Sequence, residues 1–361
     1  MAGWPPSNEV AVLEINGVKY QDWESVLVKH ATQVPMFSAR FTCSEDEPIA
    51  KNFGVMRIRP GDSCTITLAG ELALTGTIYE RQVYYDAQSH HVELQAVGAA
   101  HVTTVASVTH PTFEWTNTPL EAFVRSVLQP VGINLVVKGA MPAEPRPRIN
   151  VAPGTTIWQA IDKESKPAAV NYSGDVAGNL VAWPKGSSAG GGDVVVEGGT
   201  GPNAIIIGRE IIFNQSVYMG AGFAQAPGNN QKWGAQVASV PFFREAQQAA
   251  SAFGGGTMPN MLIHSEVAAF SQSILQGRTD SERGWNQQDQ ITVFATVYGW
   301  LRPSGGLWGI KQKVGVISPM LIMDGSEDLR AKVITFTQDN TTGTRTTLQL
   351  CNELAFGRGF E

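Results

Sequence analysis

The residues of this 361-residue chain that could do chemistry are few: six histidines, three cysteines and a carboxylate pair within one candidate helix. Asp162 and Glu164, in the stretch AIDKESK, would suit general acid and base work if they shared a face. Two residues apart on a helix they do not, so they are expected to form a solvated polar surface. His90 and His91 are adjacent, and on a strand adjacent side chains point to opposite faces, which prevents joint chelation of one ion. His30, His101, His110 and His264 have no Asp or Glu at the spacing of a metal triad. Cys43, Cys64 and Cys351 are odd in number, far apart and set in apolar alternation. That pattern fits small buried thiols in a chain that folds in a reducing compartment, and fits neither a disulfide framework nor a zinc site. The motifs G-x-x-x-x-G-K-[ST], G-x-G-x-x-G, H-E-x-x-H and C-x-x-C are missing. The Gly-rich GGTG and FGGGT have no adjacent Lys to hold a phosphate. No catalytic, cofactor or metal site is therefore expected, and the chain is not expected to be an enzyme.

With chemistry set aside, composition bounds what remains. Charged residues make up 16% of the chain, against roughly 25% in ordinary soluble domains. Two causes fit: surface committed to other proteins, because charge is depleted at interface centres, or β-structure with long Gly, Ser and Asn loops. The net charge of −6, from 32 acidic and 26 basic residues, supplies no cationic field for nucleic-acid binding. No apolar run reaches the roughly 18 residues of a membrane span, and the opening MAGWPPSNEV lacks the basic and apolar regions of a signal peptide.

Periodicity divides the chain. In EVAVLEINGVKYQDWESV the Asn16-Gly17 pair predicts a two-residue hairpin, since both central positions of a type I′ turn need positive φ. Further strands are expected at Met36–Cys43 and at Ser63–Leu68, where Cys64, Ile66 and Leu68 share one face. Others run through Leu74, Ile78, Val83 and Tyr85 to HVELQAV. The period then changes. Thr118-Pro119-Leu120-Glu121 reads as a capping box with proline at the first helical position, followed by an apolar stripe of Leu120, Phe123, Val124, Val127 and Leu128. Pro130 and Gly132 end that helix. A strand at INLVV precedes PGTTIWQAIDKES, where Thr156 and Gln159 offer a second capping box, and AAVNYSGDVAGNLVAW reads as a hairpin. Ser187–Asp193 reads as a linker or exposed turn. Strands resume at AIIIGREIIF, a helix is expected in SEVAAFSQSILQ, and β-pattern returns from Gln290 to the end. Trp285, Trp300 and Trp308 suit either partner contact or core.

The expected fold is mainly β with an α+β part: two similar antiparallel β-barrels, a small α+β module and a helical insertion. The first barrel occupies residues 1–108 and the module 109–190. The second barrel takes 191–228 and 288–361, and a loop and helical insertion takes 229–287. Within the module, residues 153–166 resemble the first helix of a LysM domain, a fold that can bind peptidoglycan.

Five segments in order, VAVLEINGVKYQDWESV, PGDSCTITLAGELALTGTIYERQVYYD, FEWTNTPLEAFVRSVLQPVGI, PGTTIWQAIDKESK and VYGWLRPSGGLWGIKQKVGVISPML, resemble the baseplate hub proteins of contractile-tailed bacteriophages of the Mu type. That resemblance implies a homotrimeric ring in the virion, assembled in the host cytoplasm. It implies partners in the tail tube protein, a trimeric spike protein and other baseplate proteins. Two barrels per subunit would adapt a sixfold tube to a threefold spike and leave a channel through which DNA passes without specific binding, with no cofactor and no membrane insertion. A tail-associated peptidoglycan-binding module and a peptidoglycan hydrolase are the alternatives.

Overall fold

The computed structural model describes residues 9–44, 58–86, 90–184, 187, 189–212, 222–225, 261–264, 278, 291–325 and 329–352. Seven strands build the first β-unit: β1 (Ala11–Ile15), β2 (Val18–Tyr20), β3 (Ser25–Ala31), β4 (Ser38–Ser44), β5 (Ser63–Leu68), β6 (Glu71–Tyr85) and β7 (His90–Gly98). Asn16 at φ 52° and Gly17 at φ 79° make the β1–β2 turn, as the Asn-Gly pair dictates. Cys64, Ile66 and Leu68 are all buried on one face of β5. Ladders run β3-β4-β7-β6-β5-β1-β2. Gly76 of β6 has no room for a side chain, since a Cβ there would lie 1.9 Å from the Val97 carbonyl oxygen across the ladder. Only glycine permits so close a crossing.

The module follows, with α1 (Val102–Val105), β8 (Glu114–Thr118), α2 (Leu120–Leu128), β9 (Leu135–Val137), β10 (Arg146–Asn150), α3 (Ile157–Ser165), β11 (Asn171–Gly174) and β12 (Leu180–Trp183). The apolar stripe of α2 buries Leu120, Phe123, Val124, Val127 and Leu128, and they join Trp115, Ile149, Ile157, Ile161 and Tyr172 in a core of their own. The capping box at Thr156 forms in both directions: Gln159 N donates to Thr156 Oγ1 at 3.2 Å, and Thr156 N to Gln159 Oε1 at 3.1 Å. The one at Thr118 does not. Thr118 is spent as the last residue of β8, paired with Arg146, so Pro119 becomes the cap and makes no side-chain hydrogen bond.

A second β-unit comprises β13 (Ala189–Glu197), β14 (Ala204–Ile212), β17 (Ile291–Tyr298), β18 (Gln312–Ser318), β19 (Met323–Asp324), β20 (Leu329–Asp339) and β21 (Gly343–Asn352). Between β14 and β17 in sequence, β15 (Gly222–Gln225) and β16 (Met261–His264) pair parallel to each other. The helix expected in SEVAAFSQSILQ, the Gly-rich stretch before it and Trp285 lie outside the described residues. Strands β18, β20, β21, β17, β14 and β13 close on themselves through the Lys313–Arg330 pairing. The Ser187–Asp193 stretch is not a linker: Ala189 onward is strand, paired parallel to β18. Its glycines serve close approach, since a Cβ on Gly191 would sit 2.7 Å from the Lys313 carbonyl oxygen.

The two units repeat one plan. In the first, β3, β4, β7, β6 and β5 are antiparallel neighbours in that spatial order; in the second, β14, β17, β21, β20 and β18 are. Chain order is the same in both sets. Each long strand carries a bulge at the same place in its ladder, between Ile78 and Glu80 in β6 and between Ala331 and Val333 in β20. The repeat breaks at the first strand, because β1 is antiparallel to β5 whereas β13 is parallel to both β18 and β14. The units are fused edge to edge: β20 pairs antiparallel with β3, so that Ile334 faces His30 and Phe336 faces Val28. One hydrophobic core runs through both.

Candidate interaction surface

The residues that the sequence offered for chemistry are dispersed into structural duties. His30 is buried in the seam between the units, stacked on Phe37 at 4.0 Å, with Nε2 donating to the Ala73 carbonyl at 2.8 Å. Burial pushes its pKa down to about 4, so the ring is neutral at physiological pH. His101 lies edge-on to Tyr79, and His110 is tilted over Trp115. His91 Nδ1 stands 4.0 Å from Glu24 Oε2. His90 and His264 lie on strands. Cys43, Cys64 and Cys351 are free and buried, and burial drives the Cys64 thiol up to about 12, which makes it a poor nucleophile. Among the described residues no group of three His, Cys, Asp or Glu is placed to hold a metal ion.

Asp162 and Glu164 do not share a solvated face. Asp162 pairs with Lys166 one turn on, at 2.7 Å. Glu164 is buried against Arg146, which donates both to its side chain and to its carbonyl oxygen. Burial raises the Glu164 pKa and lowers that of Arg146, each opposed by the attraction between them. Spacing along α3 could not show this, because the partner comes from β10. Trp300 and Trp308 are core: Trp300 N donates to Glu9 Oε1 at 2.9 Å and its Nε1 to the Thr337 carbonyl at 3.2 Å. Trp158, on the LysM-like helix, lies edge-on to Tyr172 and packs against the module core.

What the fold does present is sheet edge. In β6 the ladder to β5 ends at Thr77, and from Tyr79 to Tyr85 the strand pairs only with β7 among the described residues. This half of the strand is apolar and aromatic, with Val83, Tyr84 and Tyr85 exposed, Tyr85 to 72%. In β14 the pairing with β13 covers only Ala204 and Ile205, and beyond it Leu321 packs against Gly208. Ile207 is 54% exposed there. Beside it the β18–β19 turn displays Met320 at 80% and Ile322 at 79%, the latter at φ 52°, a conformation that β-branched residues rarely adopt. Long unprotected edges with apolar side chains are templates for strand addition. Among the described residues no helix is long and apolar enough to cross a membrane.

Comparison with known proteins finds family matches in two parts of the chain and similar folds among solved structures. Residues 10–96 match the family described as Mu phage baseplate assembly protein GpP-like, N-terminal. Residues 105–182 match the family described as baseplate hub protein gp44-like, second domain. No curated protein matches in sequence. Among solved structures, the 43 kDa tail protein of prophage MuSo2 from Shewanella oneidensis is similar over 97% of this chain and 100% of its own, at 19% identity and a TM-score of 0.78. A tail protein from Neisseria meningitidis is similar over 97% and 99%, at 15% identity and a TM-score of 0.74. An E. coli component of the type VI secretion system, itself described as similar to the T4 tail proteins gp27 and gp5, covers 97% of this chain and 78% of its own at 10% identity, with a TM-score of 0.59.

Proposed function

From a chain whose first two domains are of the Mu-type baseplate assembly and gp44-like hub families, we propose that the protein is the central hub of a contractile-tail baseplate. Three copies form a ring that offers near-sixfold symmetry to the tail tube and threefold symmetry to a trimeric spike. The ring is built in the host cytoplasm, ends in the virion and contacts further baseplate proteins. DNA leaves through its bore. The role is structural and involves no turnover.

The internal repeat carries this reading. Five strands recur in the same chain order and the same ladder order in two units joined edge to edge, so one subunit already presents two similar faces. Three subunits therefore present six. A threefold ring of doubled units is the smallest closed assembly that meets a sixfold partner on one side and a threefold partner on the other. The net charge of −6 suits a bore through which a polyanion slides, because Lys and Arg on its wall would hold phosphates.

Native mass spectrometry with electron microscopy of the purified chain tests the proposal. A particle of three 38.8 kDa subunits with an open centre and six similar lobes is expected. A compact monomer at every concentration would overturn it.

A further inference from the structure

Resting on the ring reading above, we infer that the β18–β19 turn is where each subunit grips the trimeric spike, seating Met320 and Ile322 in an apolar recess repeated once per spike chain. The repeat between the two β-units singles this turn out. Strands β5 and β6 correspond to β18 and β20, and the link between β5 and β6 is only Ala69 and Gly70, at φ 52° and 82°. The corresponding link from β18 to β20 takes residues 319–328 and adds β19. A ring of doubled units has such corners alternately short and long. The long corner recurs once per subunit, so a partner that engages every copy of it must be threefold. A sixfold tube would meet a projection at every second corner and none at the others.

The tip of the turn is held out by a scaffold beneath it. Glu197, the last residue of β13, accepts from Ser318 Oγ and, at 3.2 Å, from Met320 N. Ser318 Oγ accepts in turn from Leu321 N at 3.2 Å, and Ile322 N donates to the Pro319 carbonyl at 3.3 Å. Leu321 turns inward and packs over Gly208, and Met323 is buried as well. Met320 and Ile322 are left facing outward, 80% and 79% exposed. At φ 52° the β-branched Ile322 is strained, and such strain persists only where the surroundings over-determine it. A turn made only to reverse the chain would carry Asn or Gly there, as the β1–β2 turn does with Asn16 and Gly17.

Charge decides the chemistry of the partner surface. From Gly315 to Met323 the chain carries no ionisable side chain, and the Glu197 carboxylate is turned into the scaffold. Ile317 and Val194, on the side of β18 and β13 opposite the buried Val316 and Val195, are partly exposed and extend the apolar surface along the strands that carry the tip. The surface that fits is uncharged and concave. A phosphate backbone is excluded, since it needs Lys or Arg. Seating one Met and one Ile side chain is a contact of the size that anchors an interface centre, and equal contacts from every subunit to one rigid partner reinforce one another.

Binding of the purified ring to the recombinant spike protein and to the recombinant tube protein of the same tail tests the assignment. The double variant Met320→Ser with Ile322→Ser changes only exposed side chains, so native mass should still report a trimer. Its affinity for the spike should fall at least about tenfold, while its affinity for the tube protein is unchanged. Ile322→Asn supplies a second readout. Asn accepts positive φ more readily than a β-branched residue, so this variant should denature at a higher temperature than the parent and yet bind the spike more weakly, a combination that a purely structural turn would not give. A trimer whose spike affinity survives the double substitution, or whose tube affinity falls instead, would overturn the assignment and leave the ring intact. A chain that stays monomeric would overturn both.

Discussion

Val28 of the first unit and Phe336 of the second are register partners in one antiparallel ladder, and neither exposes any surface to solvent. The two units share one hydrophobic core, in which the ring of Phe336 also meets that of His30 edge-on at 5.3 Å, and they are expected to unfold together. Phe336→Ala should cost about 3–5 kcal/mol through lost burial and the cavity left behind, and chemical denaturation should show one transition shifted as a whole. The topologically matching Val83→Ala, at a site 48% exposed, should cost no more than about 1 kcal/mol in the dissociated subunit. Equal losses at the two positions would contradict the edge assignment.

His30 predicts an acid limb. Its pKa falls from 6.5 unfolded to about 4 folded, so between these values the unfolded chain binds a proton that the native one does not. Stability is fully present above pH 6.5 and is lost as the pH falls toward 4, by about 3 kcal/mol at roughly 1.4 kcal/mol per pH unit. His30→Gln, which can still donate to the Ala73 carbonyl, should be less stable at pH 7 and show a flatter profile from pH 6.5 to 4. An unchanged acid limb in that variant would place the sensitivity elsewhere.

Arg146 and Glu164 predict non-additivity. Either charge alone, stranded in the module core, should be costly: Glu164→Gln or Arg146→Met is expected to lose about 3–5 kcal/mol. Replacing both, as Arg146→Met with Glu164→Leu, should recover most of that loss, since burial opposes the charged form of each partner. A double-mutant cycle in urea reads the coupling directly. Losses that merely add would show that the two side chains do not act as a pair.

Local pattern made much of the fold legible. Asn16-Gly17 specifies its own turn, the alternation at Cys64, Ile66 and Leu68 specifies its own face, and the stripe on α2 names the residues it buries. Each signal is complete within a few residues. What escaped depends on partners far off in the chain. The glycines after Ser187 resemble a linker until β18, more than a hundred residues later, is seen to pair with them. Glu164 resembles a surface acid until Arg146 reaches it from β10. Thr118 is drawn into a strand by the same β10. The repeat is visible in ladder order and bulge position, while the paired positions share little sequence: Val83 corresponds to Phe336 and Arg81 to Ile334. The edges are the least legible feature, because an edge is defined by what does not lie beside it.

Lys311 gives the alkaline counterpart of the His30 prediction. It sits at the junction of the module and the second unit, with Nζ 4.9 Å from the centre of the Trp183 ring and its backbone N donating to the Ala331 carbonyl at 2.7 Å. Burial first, and the nearby Arg330 guanidinium second, depress its pKa from 10.5 to about 7. Between pH 7 and 10.5 the unfolded chain holds a proton that the folded chain has released, so this group makes stability rise with pH across that window. Below pH 7 the cost of burying the ammonium is present in full, offset in part by the face of Trp183. Lys311→Met keeps the length of the side chain and removes the charge. The variant should be more stable than the parent at pH 7, by on the order of 1–3 kcal/mol after the lost ring contact is deducted, and its stability should be flat where the parent's climbs. Denaturation midpoints measured from pH 6 to 10 decide the matter. A variant that is less stable at pH 7, with the parent's slope retained, would show that the ammonium is held by interactions stronger than the burial it suffers.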